Sequence, residues 1–244
     1  ESFVFCREGS AFETWCRSHG IDHLALPFRN SLDLRTAEAV RRHAQRAGLD
    51  LLHTHTGNAH GIAWLASLRG HGPPLIVHRR VDFPVRGALS RWKFNAKPVR
   101  RIICVSEAVR QVLAPALRQP ERSVVLPSGI DLQRFDAPLP REAFFRRFGL
   151  PGDAQVIGTS AALADHKDLP TLIRTASRLL AETPARRFVI FGEGPERARL
   201  ERMIAERGLG GLVHLAGFQE DSDQLLPNLD AFLLTSKTEG LCTS

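Results

Sequence analysis

Three short segments in the second half of the chain place charged side chains and glycines where anions are commonly held. In Ala161-Ala162-Leu163-Ala164-Asp165-His166-Lys167-Asp168-Leu169, a lysine stands just ahead of a helical pattern. Lys167 there can reach a diphosphate while the helix end stabilises the same charge. A surface lysine beside an aspartate helix cap is the competing reading. In Phe191-Gly192-Glu193-Gly194-Pro195-Glu196, Gly192 and Gly194 permit a tight turn and close approach of a ligand to the backbone, and Pro195 suits the first turn of a helix. The spacing is not G-x-G-x-x-G, so it carries no dinucleotide fingerprint. In Thr235-Ser236-Lys237-Thr238-Glu239-Gly240-Leu241, a carboxylate follows an apolar strand and precedes a glycine. That combination can hold sugar hydroxyls and a neighbouring phosphate; a solvated loop is the alternative.

Histidines form a second group. His53, His55 and His60 crowd one predicted strand end, and the His-x-His spacing puts the first two on one face of a strand. With no third ligand of fitting type nearby, polar loop packing is favoured over zinc. His78 ends another predicted strand and is followed by Arg79 and Arg80, which suit an incoming phosphate or ordinary surface charge.

The elements that must position these residues alternate regularly. Apolar runs predict strands at Phe3 to Cys6, His23 to Pro27, Leu49 to His53, Leu75 to His78, Arg101 to Val105 and Ser123 to Leu126. Helical patterns lie between them at Leu34 to Ala47, Gly61 to Arg69 and Ser106 to Leu117. The rhythm pauses over 127–153, where Pro127, Pro138, Pro140 and Pro151 surround a basic amphipathic patch at Phe144 to Phe148. Proline interrupts helices and central strands alike, so this stretch reads as a connection, with a domain boundary near residue 140. A second alternation follows: strand Gln155 to Ser160, helix Leu169 to Glu182, strand Arg187 to Phe191 and helix Pro195 to Arg207. Strand Val213 to Ala216, a short helix at Asp221 to Leu226 and strand Ala231 to Leu234 complete it. This is the pattern of two α/β domains, 1–140 and 141–244, each a doubly wound parallel sheet. Opening in mid-strand and stopping where a covering helix should begin, the chain reads as cut at both ends.

Composition narrows the classes. With 244 residues, 43% hydrophobic and 24% charged, the chain is globular and long enough for two cores. It holds no apolar run of the ~20 residues that cross a bilayer, and no signal-peptide pattern. Cys6, Cys16, Cys104 and Cys242 are scattered without a C-x-x-C pair, which points away from a disulfide framework and toward a reducing cytosol. A net charge of +7 suits phosphorylated ligands or anionic lipid. It is spread along the chain without an aromatic-basic reading motif, so nucleic acid is not expected.

Taken together, the three segments resemble the nucleotide-sugar half of retaining glycosyltransferases of family 4, with GT-B fold. Supporting phrases are Leu52-His53-Thr54-His55, Ile103-Cys104-Val105-Ser106-Glu107-Ala108-Val109 and Leu126-Pro127-Ser128-Gly129-Ile130-Asp131, so the resemblance covers the whole chain. It implies two Rossmann-like domains facing across a cleft, and sugar transfer with retention of configuration from a UDP- or GDP-sugar to a glycan or lipid-linked acceptor. It also implies cell-envelope synthesis, a cytoplasmic location with possible contact with the anionic inner membrane face, and no metal or other cofactor. On the resemblance, Lys167 contacts the donor diphosphate, Glu239 holds the transferred sugar, and the amides of Gly240 and Leu241 face the sugar and its phosphate. The Gly192 to Pro195 turn lines the nucleotide pocket, Phe218 in Gly217-Phe218-Gln219 meets the base, and His78 stands beside the reacting centre.

Departures from the family pattern are Ala162, where an arginine is frequent, and a second glutamate that falls at position 247. A glycine-rich loop after the family's first strand precedes Glu1, and the fragment is therefore expected to be inactive. The remaining alternatives are a GT-B nucleotide-sugar epimerase, a phosphorylase, and a non-catalytic nucleotide-sugar-binding protein.

Overall fold

The computed structural model describes residues 2–68 and 72–242 and divides into two compact units, the second beginning at Gly129. In the first, β1 (Val4–Arg7), α1 (Ala11–Ser18), β2 (His23–Leu26), α2 (Leu34–Arg46), β3 (Leu52–Thr54) and α3 (Gly57–Ser67) alternate. β4 (Leu75–Arg79), α4 (Ala88–Phe94), β5 (Val99–Cys104), α5 (Glu107–Leu113) and β6 (Ser123–Val125) continue the pattern. β1 pairs with β2, and β3 to β6 form a sheet in sequence order, every pairing parallel. All four cysteines are free thiols, and no helix among the described residues is long and apolar enough to cross a membrane.

The second unit opens with α6 (Arg141–Phe148), which lies inside the stretch expected to be a connection. The prolines and glycine there delimit a helix rather than interrupt one. Pro140 stands at its N-cap, and Gly149 closes it in the left-handed region at φ 61°. Phe144 and Phe145 are buried against Val156, Val189, Phe191 and Leu225, so the basic patch is the outer side of a core helix. After it come β7 (Gln155–Ser160), α7 (Leu169–Glu182), β8 (Arg186–Phe191), α8 (Arg197–Glu206), β9 (Val213–Gly217), α9 (Ser222–Leu225) and β10 (Ala231–Phe232). β8 is covered on both faces: Phe188 and Ile190 pack with Leu172, Ile173 and Leu200, while Val189 and Phe191 pack with Phe144 and Leu225. Each such side chain contributes roughly 1.5–3 kcal/mol of burial.

The strand order is β10-β7-β8-β9, all parallel. From β7 the chain winds one way through β8 and β9, then returns to the other side of β7 to lay down β10. The loops that leave β7 and β10 therefore part in opposite directions at a topological switch point, where open α/β sheets bind their ligands.

Two start signals explain differences in helix boundaries. Ser10-Ala11-Phe12-Glu13 caps α1, an unexpected helix: Ser10 Oγ accepts from the Glu13 amide and Glu13 Oε2 from the Gly9 amide. α3 begins at Gly57 rather than Gly61 because Thr56 Oγ1 accepts from the Ala59 amide. Its expected end, Arg69, lies outside the described residues.

His60 sits on α3, buried edge-on against Phe94 with ring centroids 4.7 Å apart. Burial, and then the nearby Lys93 ammonium, push its pKa down to about 4 against a raising hydrogen bond with the Lys93 backbone. The native state thus takes up this proton later than the unfolded chain does, near pH 6.5. Stability from His60 is complete above about pH 6.5 and is lost as pH falls toward 4, by up to about 3 kcal/mol. His60→Gln is expected to flatten the decline in urea midpoint between pH 7.5 and pH 4.5. An unchanged slope in that variant would assign the acid sensitivity elsewhere.

Candidate functional site

At the carboxyl ends of β7, β8 and β9, three loops are laced together by main-chain bonds. The Ala161 amide donates to the Phe191 carbonyl at 2.9 Å, the Leu163 amide to Glu193 at 3.0 Å, and the Glu196 amide to Leu163 at 3.0 Å. The Gly192 amide reaches the Gly217 carbonyl at 2.8 Å, which joins the third loop. Such closeness requires glycine. A Cβ on Gly192 would overlap the Ala161 carbonyl, its φ of +137° excludes an ordinary side chain, and a Cβ on Gly194 would overlap the Leu163 carbonyl. Helix α8 then starts at Arg197, so Pro195 precedes it instead of sitting in its first turn.

Lys167 ends a 3₁₀ turn, Asp165–Lys167, that leads into α7. Asp168 at the junction has φ 43°, a left-handed conformation that aspartate tolerates at some cost. It is fastened by Thr171, whose amide bonds to the Asp168 carbonyl at 2.9 Å and whose hydroxyl donates to the carboxylate at 2.7 Å. The start of α7 offers fewer donors than its sequence suggests, since Pro170 lacks an N–H and the Thr171 amide is engaged.

The loop after β10 closes over this turn. Thr235 Oγ1 lies 3.1 Å from the carbonyl oxygens of both Lys167 and Asp168. The Lys237 amide donates to the His166 carbonyl, and its ammonium pairs with Asp165 at 2.9 Å. Lys167 Nζ then meets Glu239 Oε1 at 2.6 Å. These residues are 72 positions apart and meet because β10 lies beside β7. Both side chains are largely sheltered, at 17% and 24% exposure. Burial alone would raise the Glu239 pKa; the hydrogen bond and charge of Lys167 help turn the balance, and the carboxyl ends below its ordinary value. Glu239 is therefore ionised at neutral pH, and the pair comes apart as acid protonates it.

The remaining expected residues fall as follows. Gly240 and Leu241 follow Glu239, both half-buried. Phe218, just past β9, is exposed, while Gln219 beside it donates to the Ala216 carbonyl at 2.6 Å and accepts from Arg147. His78 belongs to the first unit, on β4, with both ring nitrogens buried and unpartnered. Burial, then His55 and Arg80, lower its pKa, so the ring is neutral at pH 7. The next residue, Arg79, donates to the Phe83 carbonyl and lies over the Phe94 ring. Thr235 and Lys237 were visible in the third segment, but nothing in their spacing announces the contacts with His166, Lys167 and Asp165.

Residues 1–134 match the profile of Glycosyltransferase Family 4, and residues 140–244 match that of Glycosyl transferases group 1. The chain belongs to glycosyltransferase family 4. Among curated relatives, a 2-deoxystreptamine glucosyltransferase of Streptomyces kanamyceticus is 29% identical over 173 residues, covering 69% of this chain and 44% of that protein. A D-inositol 3-phosphate glycosyltransferase of Geodermatophilus obscurus is 32% identical over 203 residues, covering 73% and 45%. This family 4 chain thus spans about half the length of these relatives. Among solved structures, Anabaena HepE in complex with UDP-glucose superposes with a TM-score of 0.81 over 96% of this chain and 66% of HepE. At 21% identity that likeness speaks for the fold, which is GT-B.

Proposed function

We propose that the protein transfers a sugar, with retention of anomeric configuration, from a nucleoside diphosphate sugar to an acceptor. The observation that carries this is the Lys167–Glu239 pair, held by β7 and β10 at the switch point beside the Gly192–Gly194 turn. On this reading the ammonium of Lys167 exchanges its carboxylate partner for the donor diphosphate and stabilises charge as the nucleotide departs. Stabilising charge in this way is worth several kcal/mol in enzymes generally. Glu239, released, accepts hydrogen bonds from sugar hydroxyls, with Gly240 and Leu241 presenting main chain to the sugar and phosphate. Phe218 offers an exposed aromatic face to the base. Lysine supplies the positive charge at the diphosphate, so the transfer as proposed requires no divalent cation there. His78 keeps the role that the resemblance gives it.

UDP is the donor nucleotide we favour, because HepE is solved with UDP-glucose. We assign the acceptor to the glycans and lipid-linked sugars of the cell envelope; the net charge of +7 suits work at an anionic inner membrane face.

The test is thermal stabilisation. UDP and UDP-sugars are expected to raise the unfolding temperature, GDP and ADP to do so less. In Glu239→Gln the advantage of a UDP-sugar over UDP should vanish while UDP itself still stabilises. No response to any nucleotide would sink the proposal. A second reading, donor binding without transfer, draws on Ala162, which is exposed where the resemblance calls for arginine. Donor binding with neither transfer nor slow donor hydrolysis would select it.

A further inference from the structure

In the sequence His60 is the nearest companion of His53 and His55, and no third ligand of fitting type stands beside them. His60 is instead buried on α3, and the third imidazole at this place is His78. Strand register explains why. β3 and β4 run parallel with His53 opposite Ile76 and Thr54 opposite Val77. One step further along, His55 comes opposite His78. Thr54 and Val77 are buried in the sheet's other face, so His53, His55 and His78 share the more open one. Ring centroids lie 4.1 Å apart for His53 and His55, 5.6 Å for His53 and His78, and 5.4 Å for His55 and His78.

We infer that His53, His55 and His78 form a binding site for a divalent transition metal of zinc type. One nitrogen from each ring lies within 4.8 Å of the other two. Three imidazoles on a tetrahedral zinc, at Zn–N about 2.0–2.1 Å, hold their nitrogens about 3.4 Å apart. The cluster must therefore contract by about 1.4 Å at most, a movement of rotamers and not of backbone. His53 and His55 are exposed and have room for it. A second observation points to a ligand: both nitrogens of His78 are shut off from solvent with no hydrogen-bond partner. Buried polar atoms left this way are rare and call for an ion or water. The all-nitrogen set suits zinc, copper or nickel and not magnesium or calcium, which take oxygen. Among the described residues no acidic or thiol group completes the set, so a fourth position stays open for water, as in zinc sites with three protein ligands.

The three histidines belong to the first unit and the donor-binding residues to the second, and the metal site does not depend on the reading of the latter. On that reading, however, a metal on His78 withdraws the ring from sugar transfer, so the two uses of this side chain exclude each other.

Titration of Zn2+ into the 244-residue chain against a chromophoric chelator tests the site, with Co2+ absorption reporting coordination geometry. One equivalent is expected to bind, with the intense visible bands of a low-coordinate cobalt site. His53→Ala and His55→Ala should each weaken binding at least about tenfold, and the double variant should abolish it. His19→Ala, an exposed histidine elsewhere, should leave it unchanged. Because His53 and His55 are exposed, these variants should keep native circular dichroism, and the response to UDP should persist in them. Zinc affinity retained in the folded double variant, or no stoichiometric binding to the parent chain, would overturn the inference.

Discussion

Sugar transfer by Lys167→Ala is expected to fall about a hundredfold to a thousandfold, the range found when one charge-stabilising donor is removed from a site of this kind. The loss should appear in kcat, because the ammonium matters most as the diphosphate takes on charge. Stability should fall only modestly. The Lys167–Glu239 pair is largely sheltered, and removing one partner of such a bond costs about 1–3 kcal/mol. Glu239 in the variant loses its cation in a sheltered place, so its pKa should rise toward or above the ordinary carboxylate value. Lys167→Arg keeps the charge with a different shape and should recover part of the rate. Initial rates with UDP-sugar, taken on a chain extended to the length of its relatives and set beside thermal melts of the same preparations, separate the outcomes. A rate within about threefold of the parent would remove Lys167 from the mechanism.

Gly192→Ala should damage the second unit itself. Its Cβ would meet main chain, the Ala161 carbonyl, and not the movable end of a side chain, and φ +137° compounds the conflict. A loss of about 3 kcal/mol or more is expected from overlap and strain together. For a unit of this size that corresponds to a fall of about 10 °C or more in melting temperature. The comparison is Gly152→Ala, where a Cβ meets nothing within 4 Å and no positive φ is required. A melting temperature for Gly192→Ala within about 2 °C of the parent would show that the loop can move aside. The site geometry described for the neighbouring loops would then need revision.

Much of the fold was legible because long periodic segments speak for themselves. Gln155–Ser160 and Leu169–Glu182 match their expected limits, since an apolar run and an amphipathic stretch each end in unmistakable local chemistry. The helix Arg141–Phe148 was hidden because Pro140 and Gly149 look like breakers when they are in fact its ends. Helix Ala11–Ser18 did carry a Ser-x-x-Glu start signal, but at eight residues it gives little periodicity to weigh. At the site, the residue types around Lys167, Gly192 and Glu239 were readable, yet their partners were not. The bond from Lys167 to Glu239, and that from Thr235 to the turn before α7, exist only once β10 is laid beside β7. Strand order is a property of the whole unit, and no window of sequence contains it. The histidines show the same limit: His53 and His55 announced one another, but their third neighbour depends on strand register.

The lacing of the Ala161–Leu163 loop to the turn at Gly192–Glu196 runs through amides and carbonyls, with no side chain in the chain of contacts. Its course is thus written in backbone and glycine, and Ala162 and Ala164 hold it through their main chain, the Ala164 amide donating to the Ala162 carbonyl and the Ala164 carbonyl accepting from the Lys167 amide. Side chains at those two places can be exchanged without cutting any of these main-chain bonds, so a group suited to another donor would stand on the same frame.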